Sequence, residues 1–363
     1  MGYLTTEAVE NLSKHKYCSS EYSTFMNFLN RALWTPCSNF LPDWLAPNLI
    51  TILSTVSIMF ACFYAIGHND LLFSATVPPD TMLIGAIGIF IYSLLDNLDG
   101  KQARRLGVSS PLGQLLDHGL DASVNALSIG LLLVQALNFH DSIMIPTLLV
   151  FMQLPCFFTF WEEYYCGIMK LQVGGLGADE FNFLSIGIML VSYFSGTEFW
   201  DNKIFSAIPL NTLYVSVLII LFLIIGLPSF TSSVYYKTNT LKSFLLLIPP
   251  MQVYLGIYIF YFSEAYKHYA LLFLIAGCAL GGLLNCRLII SVTCNVEFKI
   301  FRLDTTLFFL FAIASYYYEI VNFWIAAGLC GAMTLYLFFY LYSISCEIAE
   351  CLGINVLTVR KAN

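Results

Sequence analysis

The chain has 363 residues, of which 58% are hydrophobic, 16% aromatic and only 11% charged, with a formal net charge of −7. A soluble domain carries roughly 25% charged residues, so this chain has too few for a water-facing surface of its size. The composition excludes a secreted disulfide scaffold, a disordered protein and a basic nucleic-acid binder. It indicates an all-α, polytopic integral membrane protein.

The first forty residues contain no apolar core of a targeting peptide. Residues 20–40 instead have helical periodicity, which predicts an amphipathic helix lying in the membrane interface. The apolar positions of this pattern are Phe25, Phe28, Leu29, Ala32 and Leu33. A soluble arm packed on the cytosolic face is the alternative.

Long apolar runs follow and predict about ten membrane-spanning helices. The ranges are 49–66, 81–103, 112–137, 143–165, 180–196, 208–228, 243–262, 269–290, 304–321 and 324–347. With a cytosolic N-terminus, fourteen of the 16 lysines and arginines face the cytosol, and only Lys203 and Lys267 face the other side. The positive-inside rule therefore predicts that both termini are cytosolic.

Four carboxylates lie near the cytosolic ends of the second and third predicted spans. Asp96 and Asp99 are three residues apart, and Asp117 and Asp121 are four residues apart, so each pair shares one helix face. Carboxylates in a membrane helix repel one another unless a cation lies between them. Oxygen ligands at this density suit Mg²⁺ or Mn²⁺, in two ions, and not zinc. An acidic, hydrated vestibule without metal is the alternative.

Small residues continue the same helix faces, namely Gly100, Ala103 and Gly113. Their lack of bulk lets a flat ligand approach the backbone closely. Arg104 is placed to hold phosphate oxygens, and Lys101 and Arg105 are further candidates. For Lys101 and Arg105, the alternative is a role as positive-inside anchors.

The acidic stretch also resembles a known family. From Asp96 to Asp121 the sequence matches D-x-x-D-G-x-x-A-R-x8-G-x-x-x-D-x-x-x-D without a departure, which is the signature of the CDP-alcohol phosphotransferases. LAPNLIT at 45–51, TFWEEYY at 159–165 and SCEIAECLGINVLTVRK at 345–361 resemble the eukaryotic choline/ethanolamine phosphotransferases. Gln114 stands where glutamate is common in that subfamily.

The resemblance implies site residues. Metal ligands would be Asp96, Asp99, Asp117 and Asp121, and contacts to the CDP part would come from Asn48, Gly100, Ala103, Arg104 and Gly113. His118 matches the histidine proposed as proton acceptor, and Asp121 is spaced to orient its ring. A structural role behind the metal ligands is the alternative for His118.

Two further groups of carboxylates come into question. Glu180 aligns with a family glutamate, and the resemblance implies that it orients His118 or the incoming hydroxyl. Asp121 and Glu180 are also alternatives to His118 as the base. The alternative for Glu180 is an acidic residue that complements the helix dipole. Glu162 and Glu163, beside Trp161, either line the mouth of the site or face water.

The resemblance implies a function and a domain layout. The enzyme would transfer phosphocholine or phosphoethanolamine from a CDP donor to diacylglycerol, with magnesium, as a homodimer of the endoplasmic reticulum or Golgi membrane. The predicted layout is an interfacial segment 1–45, catalytic helices 46–230, additional spans 231–347 and a cytosolic tail 348–363. The alternatives are a phosphatidyltransferase that uses CDP-diacylglycerol and a soluble alcohol, and a transporter or lipid-binding protein with an acidic cation site.

Overall fold

In the computed structural model the chain is almost entirely α-helical, with two minimal β-hairpins, which confirms the predicted all-α class. The structure describes residues 3–15, 17–68, 77–140, 142–204, 207–238 and 240–359. Lys16, Arg360 and Lys361, which entered the charge count, lie outside the described residues. The hairpins pair Gln172–Val173 with Leu176–Gly177 and Lys203–Ile204 with Ile208–Pro209.

The N-terminal segment contains a short helix α1, Thr6–Lys14, followed by a second helical stretch. That stretch runs from α2, Thr24–Leu29, through a π turn, Asn30–Trp34, into α3, Thr35–Ser38. The predicted helix is therefore present, but its apolar residues divide between two faces. Leu29 and Trp34 pack inward, whereas Phe25 and Phe28 are 38% and 63% exposed. The exposed rings suit a membrane interface, and that location stays a prediction.

Each of the ten predicted spans coincides with one helix. The helices are α4 Pro47–Gly67, α5 Pro79–Leu106, α6 Pro111–Ala136, α7 Met144–Cys166, α8 Ala178–Ser195, α9 Leu210–Thr238, α10 Leu241–Tyr261, α11 Tyr266–Thr293, α12 Leu303–Tyr317 and α13 Phe323–Leu352. Among the described residues, eight of them are long and apolar enough to cross a membrane, and α8 and α12 are not. The polytopic class is confirmed, and the count of ten stays a prediction.

Helix boundaries follow local sequence signals. Pro47, Pro79 and Pro111 occupy the first turns of α4, α5 and α6, where a missing N–H costs nothing. Gly107 ends α5 with φ of +66°, a left-handed conformation that glycine adopts without strain. The Ser110 side chain then caps α6 by accepting from the N–H of Gly113. These signals fold α6 back against α5.

Helices α6 and α11 form the centre of the bundle. Their most apolar windows are each 89% buried, whereas those of α9 and α13 are only 22% buried. The two central helices approach closely, since a Cβ added at Gly282 would lie 2.3 Å from Cβ of Ser123. Ser123 belongs to a π turn, Asp121–Asn125, so the crossing fixes the backbone next to Asp121.

Both ends of the described chain reach the face of the bundle that carries the acidic residues. The N–H of Tyr3 donates to Oε2 of Glu347 at 2.7 Å, which joins the N-terminal segment to α13. Asn48 donates through Nδ2 to the carbonyl of Val356 at 2.8 Å, which holds the C-terminal tail against the start of α4. This arrangement agrees with termini on one side of the membrane.

Candidate active site

The four aspartates converge between α5 and α6. Carboxylate oxygens of Asp96, Asp99 and Asp117 lie within 4.8 Å of one another, and so do ligand atoms of Asp117, His118 and Asp121. Asp117 belongs to both groups. The two groups of three are therefore adjacent, and the cluster could hold a divalent cation.

Polar neighbours orient these carboxylates. The hydroxyl of Thr51, on α4, donates to Oδ2 of Asp99. Oδ1 of Asp121 accepts from the hydroxyl of Tyr92 at 2.8 Å and from Nδ2 of Asn125 at 2.9 Å. Such partners fix ligand geometry in metal sites. None of these three partners was predicted from the sequence, although Asn125 follows Asp121 by one helical turn and Thr51 lies in the LAPNLIT segment.

The site fits divalent cations. Oδ1 of Asp96 is buried and has no hydrogen-bond partner within the described part of the chain, so one ligand oxygen is uncommitted. A buried polar oxygen without a partner is costly. Carboxylate oxygens are the preferred ligands of Mg²⁺ and Mn²⁺. The residues present could therefore hold such ions.

A fifth aspartate lies beside this cluster and was missed from the sequence. Oδ1 of Asp179, at the start of α8, accepts from Nδ2 of Asn97 at 2.8 Å and from the hydroxyl of Ser93 at 3.0 Å. Both donors lie on α5, on either side of Asp96. Asp179 therefore fixes α8 against the helix that supplies two of the acidic residues. The sequence signal that could have identified Asp179 was its position next to Glu180.

Glu180 is engaged at the N-terminus of α8. Its Oε2 accepts from the N–H of Gly177 at 2.8 Å, and its Oε1 accepts from the hydroxyl of Ser23. The carboxylate thus closes a capping arrangement and binds the N-terminal segment. This placement favours the structural alternative for Glu180, and a role in orienting His118 stays a prediction.

His118 lies against one aspartate and two aromatic rings. Its Nδ1 is 3.6 Å from Oδ2 of Asp117, which is longer than a hydrogen bond. The ring centroids of Tyr17 and Phe160 lie 5.7 Å and 6.3 Å from that of His118. The imidazole therefore stands at the border between the acidic residues and an aromatic wall.

The predicted nucleotide contacts have different environments. Arg104 is exposed and lies over Gly100, where an added Cβ would be 3.2 Å from its Nη1. At Gly113 an added Cβ would be 3.5 Å from Oδ1 of Asn48. Ala103 is half-buried on the same helix as Arg104. Gly100, Ala103 and Arg104 lie on α5, Gly113 lies in the first turn of α6, and Asn48 lies at the start of α4.

Lys101 and Arg105 hold the N-terminal segment instead. Nζ of Lys101 donates to the hydroxyl of Thr35 at 3.2 Å. Arg105 pairs with Asp43 at 3.2 Å and donates to the Leu41 carbonyl. Both cations therefore contact the segment before α4.

Glu162 and Glu163 do not face water, contrary to one of the two alternatives. They are only 2% and 3% exposed. Glu162 forms an ion pair with Lys170 at 2.7 Å. Glu163 accepts through Oε1 from Nε2 of Gln114 at 3.1 Å. Their burial depends on contacts with other segments, such as those to Gln114 and Lys170, which the local sequence does not reveal.

Fold and site together define a polytopic α-helical membrane protein with an acidic centre suited to divalent cations. Comparison with known proteins gives the particular family. A family model described as CDP-alcohol phosphatidyltransferase matches residues 44–274, and the chain belongs to that family. The family depends on divalent metal, in agreement with the aspartate cluster.

Relatives differ in how much of each chain is matched. The chain is 36% identical over 206 residues to uncharacterized CDP-alcohol phosphatidyltransferase class-I family protein 3 of Dictyostelium discoideum, covering 56% of this chain and 51% of the relative. It is 31% identical over 238 residues to cholinephosphotransferase 1 of Rattus norvegicus, covering 64% and 56%. The chain thus spans about half the length of these relatives.

A plant relative matches from end to end. The chain is 28% identical to choline/ethanolaminephosphotransferase 2 of Arabidopsis thaliana over an alignment of 390 positions. That alignment covers 98% of this chain and 97% of the relative. The similarity therefore extends beyond the matched family domain into the helices that follow it.

Proposed function

We propose that the protein transfers phosphocholine or phosphoethanolamine from a CDP-linked alcohol to diacylglycerol, with CMP as the second product. The observation that carries the proposal is the pair of adjoining three-residue ligand groups that share Asp117, together with the exposed Arg104 over Gly100. Two adjoining cation positions and an arginine suit a diphosphate. The names of the rat and Arabidopsis relatives, a cholinephosphotransferase and a choline/ethanolaminephosphotransferase, support the choice of alcohol.

We propose that two magnesium ions bind at the aspartate cluster. When bound, they would neutralise the charge of the diphosphate. Asp96, Asp99, Asp117 and Asp121 would hold these ions. Arg104 binds a phosphate oxygen, and the bare backbones at Gly100 and Gly113 let the nucleotide approach, with Asn48 and Ala103 beside them. Lys101, already bound to Thr35, contributes positive potential at most.

The reaction we propose is a direct in-line displacement. The acceptor hydroxyl oxygen forms a bond to the phosphorus that carries the alcohol, while the bond from that phosphorus to the CMP oxygen breaks. His118 takes the hydroxyl proton at Nε2, because its Nδ1 is turned toward Asp117. Glu180 acts indirectly, by holding Ser23 and the N-terminal segment in place.

The acceptor and the cellular setting belong to the same proposal. Diacylglycerol enters sideways from lipid, while the CDP donor enters from the face where the chain ends meet the acidic residues. We place the protein in the membrane of the endoplasmic reticulum or Golgi, with the site and both termini facing the cytosol. We also propose that it works as a homodimer.

The test is CMP release from purified protein in liposomes. Each reaction contains Mg²⁺ and one donor, either CDP-choline or CDP-ethanolamine with diacylglycerol, or CDP-diacylglycerol with inositol. Release with the first two donors only is the expected result. Release only with CDP-diacylglycerol would favour the phosphatidyltransferase alternative. No release with any donor would favour a transporter or lipid-binding protein.

A further inference from the structure

A cavity of about 590 Å³ lies between α12 and α13, outside the helices that carry the aspartates. Cavities that bind small ligands commonly measure about 300 to 1,000 Å³. Helix α12 packs against α10, and α13 packs against α11. The walls of the cavity come from α12 and α13, and the loop between α11 and α12 lines one end.

The cavity is charged at that end and apolar along the rest of its length. Lys299 and Arg302, from the loop, line it beside the first turn of α12. Farther along both helices the lining side chains are apolar, namely Leu307, Phe308, Phe311, Leu329 and Met333. A water-soluble anion would contact only the charged end, whereas an amphiphile with an anionic headgroup would contact both parts.

Positive charge exceeds negative charge at the loop end. Arg287, on α11, is 9% exposed and donates to the carboxylate of Asp304 and to the hydroxyl of Tyr336. Nε of Arg302 lies 3.4 Å from Oδ1 of the same aspartate. Asp304 is the one carboxylate among the described residues that line the cavity. Two guanidinium groups therefore share one carboxylate, and Lys299 adds a third cation.

The two arginines are close enough to repel each other. Burial lowers the pKa of the Arg302 guanidinium, and the positive charge of Arg287 lowers it further. A second anion beside these side chains would offset the repulsion. Arginine binds phosphate oxygens through two parallel N–H groups, so a phosphate headgroup suits this place.

The charged end lies at the same depth in the bundle as the aspartates, on the other side of α11. Sγ of Cys286 lies 3.6 Å from the carbonyl of Gly119, which follows His118 on α6. The next residue, Arg287, instead contacts α12 and α13 through Asp304 and Tyr336. Helix α11 therefore separates the cavity from the aspartate cluster.

Apolar side chains near the charged end are exposed on the surface of the bundle. Phe301, Leu303 and Leu307 are 79%, 64% and 55% exposed, and all three line the cavity. In a protein that crosses a membrane, such residues contact lipid. A ligand could therefore enter the cavity sideways from the bilayer.

We propose that this cavity binds an anionic phospholipid, with its phosphate at Arg302 and Lys299 and its acyl chains along the apolar walls of α12 and α13. Basic pockets between membrane helices bind anionic headgroups in this way. Diacylglycerol carries no charge for the cations. A zwitterionic phospholipid brings an ammonium, and Asp304 is already shared by two arginines. The binding is independent of the reaction proposed above.

The test measures lipid binding to the purified full-length chain in detergent. Phosphatidic acid, phosphatidylinositol, phosphatidylcholine, diacylglycerol and inorganic phosphate are titrated separately, and bound molecules are counted by native mass spectrometry. We expect the two anionic lipids to bind about 10- to 30-fold more tightly than phosphatidylcholine, the factor expected from two basic side chains.

Three variants assign the binding to the cavity. Arg302→Gln should weaken the anionic lipids about tenfold, through loss of a charged hydrogen bond. Lys242→Gln is the matched control, because this lysine is exposed and lies outside the cavity, and it should leave the affinities unchanged. Met333→Trp fills the apolar part, so it should weaken the lipids and not inorganic phosphate. Should Arg302→Gln fail to fold, Lys299→Gln in the exposed loop tests the same headgroup contact.

Several results would overturn the inference. Equal affinities for phosphatidic acid and phosphatidylcholine would remove the preference for an anionic headgroup. Equal losses in Arg302→Gln and Lys242→Gln would reduce the preference to an effect of overall charge. Inorganic phosphate that binds as tightly as the lipids, together with an unaffected Met333→Trp, would make this a phosphate site without a lipid. The readout is binding, so a lack of CMP release would count against the proposed function alone.

Discussion

The hydroxyl of Tyr92 donates a hydrogen bond of 2.8 Å to Oδ1 of Asp121, which joins the two helices that carry the acidic residues. Tyr92 lies one turn before Asp96 on α5 and is 4% exposed. Its ring is therefore part of the bundle core, while its hydroxyl orients a carboxylate on α6. One side chain links packing and the candidate site.

Tyr92→Phe tests this link. The ring remains buried, so the variant folds, but Asp121 loses one of its two donors. Replacing a residue that hydrogen-bonds to a metal ligand lowers metal affinity or activity about 10- to 100-fold. We expect the Mg²⁺ concentration for half-maximal rate to rise by about that factor. Thermal unfolding in detergent, followed with and without Mg²⁺, provides a readout besides activity. An unchanged Mg²⁺ requirement would contradict the assignment.

Asp96→Asn and Asp117→Asn test the metal ligands directly. Each replacement removes a negative charge from the cluster, and Asp117 belongs to both groups of three. We expect turnover to be abolished while the protein elutes as wild type in size-exclusion chromatography. Because each replacement removes repulsion between carboxylates, we expect the thermal stability of the variants without Mg²⁺ to equal or exceed that of the wild type. Near-normal CMP release from either variant at saturating Mg²⁺ would refute the two-metal assignment.

Much of this fold was predictable because its signals are local. Apolar runs fix the helices, and spacings of three and four residues place Asp96 with Asp99 and Asp117 with Asp121 on common faces. Gly107 and Pro111 then indicate the turn that brings the two pairs together. These inferences need only the chain near each residue.

Other features depend on contacts between distant segments. The bond from Asn97 to Asp179 spans 82 positions and that from Lys101 to Thr35 spans 66, so no spacing rule points to either. Glu163 was ambiguous for the same reason, because its burial comes from packing against α6. The local sequence predicts that a segment is helical, whereas packing against neighbouring helices determines which face of that helix is buried.

Arg104 and Arg105 form a matched pair for the phosphate contact. Arg104 is exposed above Gly100, whereas Arg105 is committed to Asp43 and the Leu41 carbonyl. We expect Arg104→Gln to weaken CDP-donor binding about 10- to 100-fold, through loss of a charged hydrogen bond. Arg105→Gln leaves donor affinity unchanged and lowers thermal stability slightly. Equal effects of both replacements on donor binding, measured by titration, would contradict this division of roles.

Gly100→Leu and Gly113→Leu test the close approach of the nucleotide. An added Cβ would be 3.2 Å from Arg104 and 3.5 Å from Asn48, and the rest of a leucine side chain would occupy the space that we propose for the nucleotide. We expect CDP-donor and CMP affinity to fall together, because the obstruction precedes any contact with the alcohol. Gly187→Leu is the control, since nothing lies within 4 Å of its added Cβ. Unchanged affinities at Gly100 and Gly113 would limit these glycines to helix packing.

The identity of the base is tested by comparing His118→Ala with Glu180→Gln. A positioned base contributes about 10²- to 10⁴-fold, so His118→Ala should lower kcat by that factor while donor affinity stays within a few-fold. Asp121 is a poor competitor because a bound cation would lower its basicity. Glu180 already accepts from Ser23 and from the N–H of Gly177, and a glutamine oxygen retains an acceptor there. Glu180→Gln should therefore cost less. Rates and donor binding are measured on the same preparations, and a near-wild-type His118→Ala beside an inactive Glu180→Gln would transfer the role to Glu180.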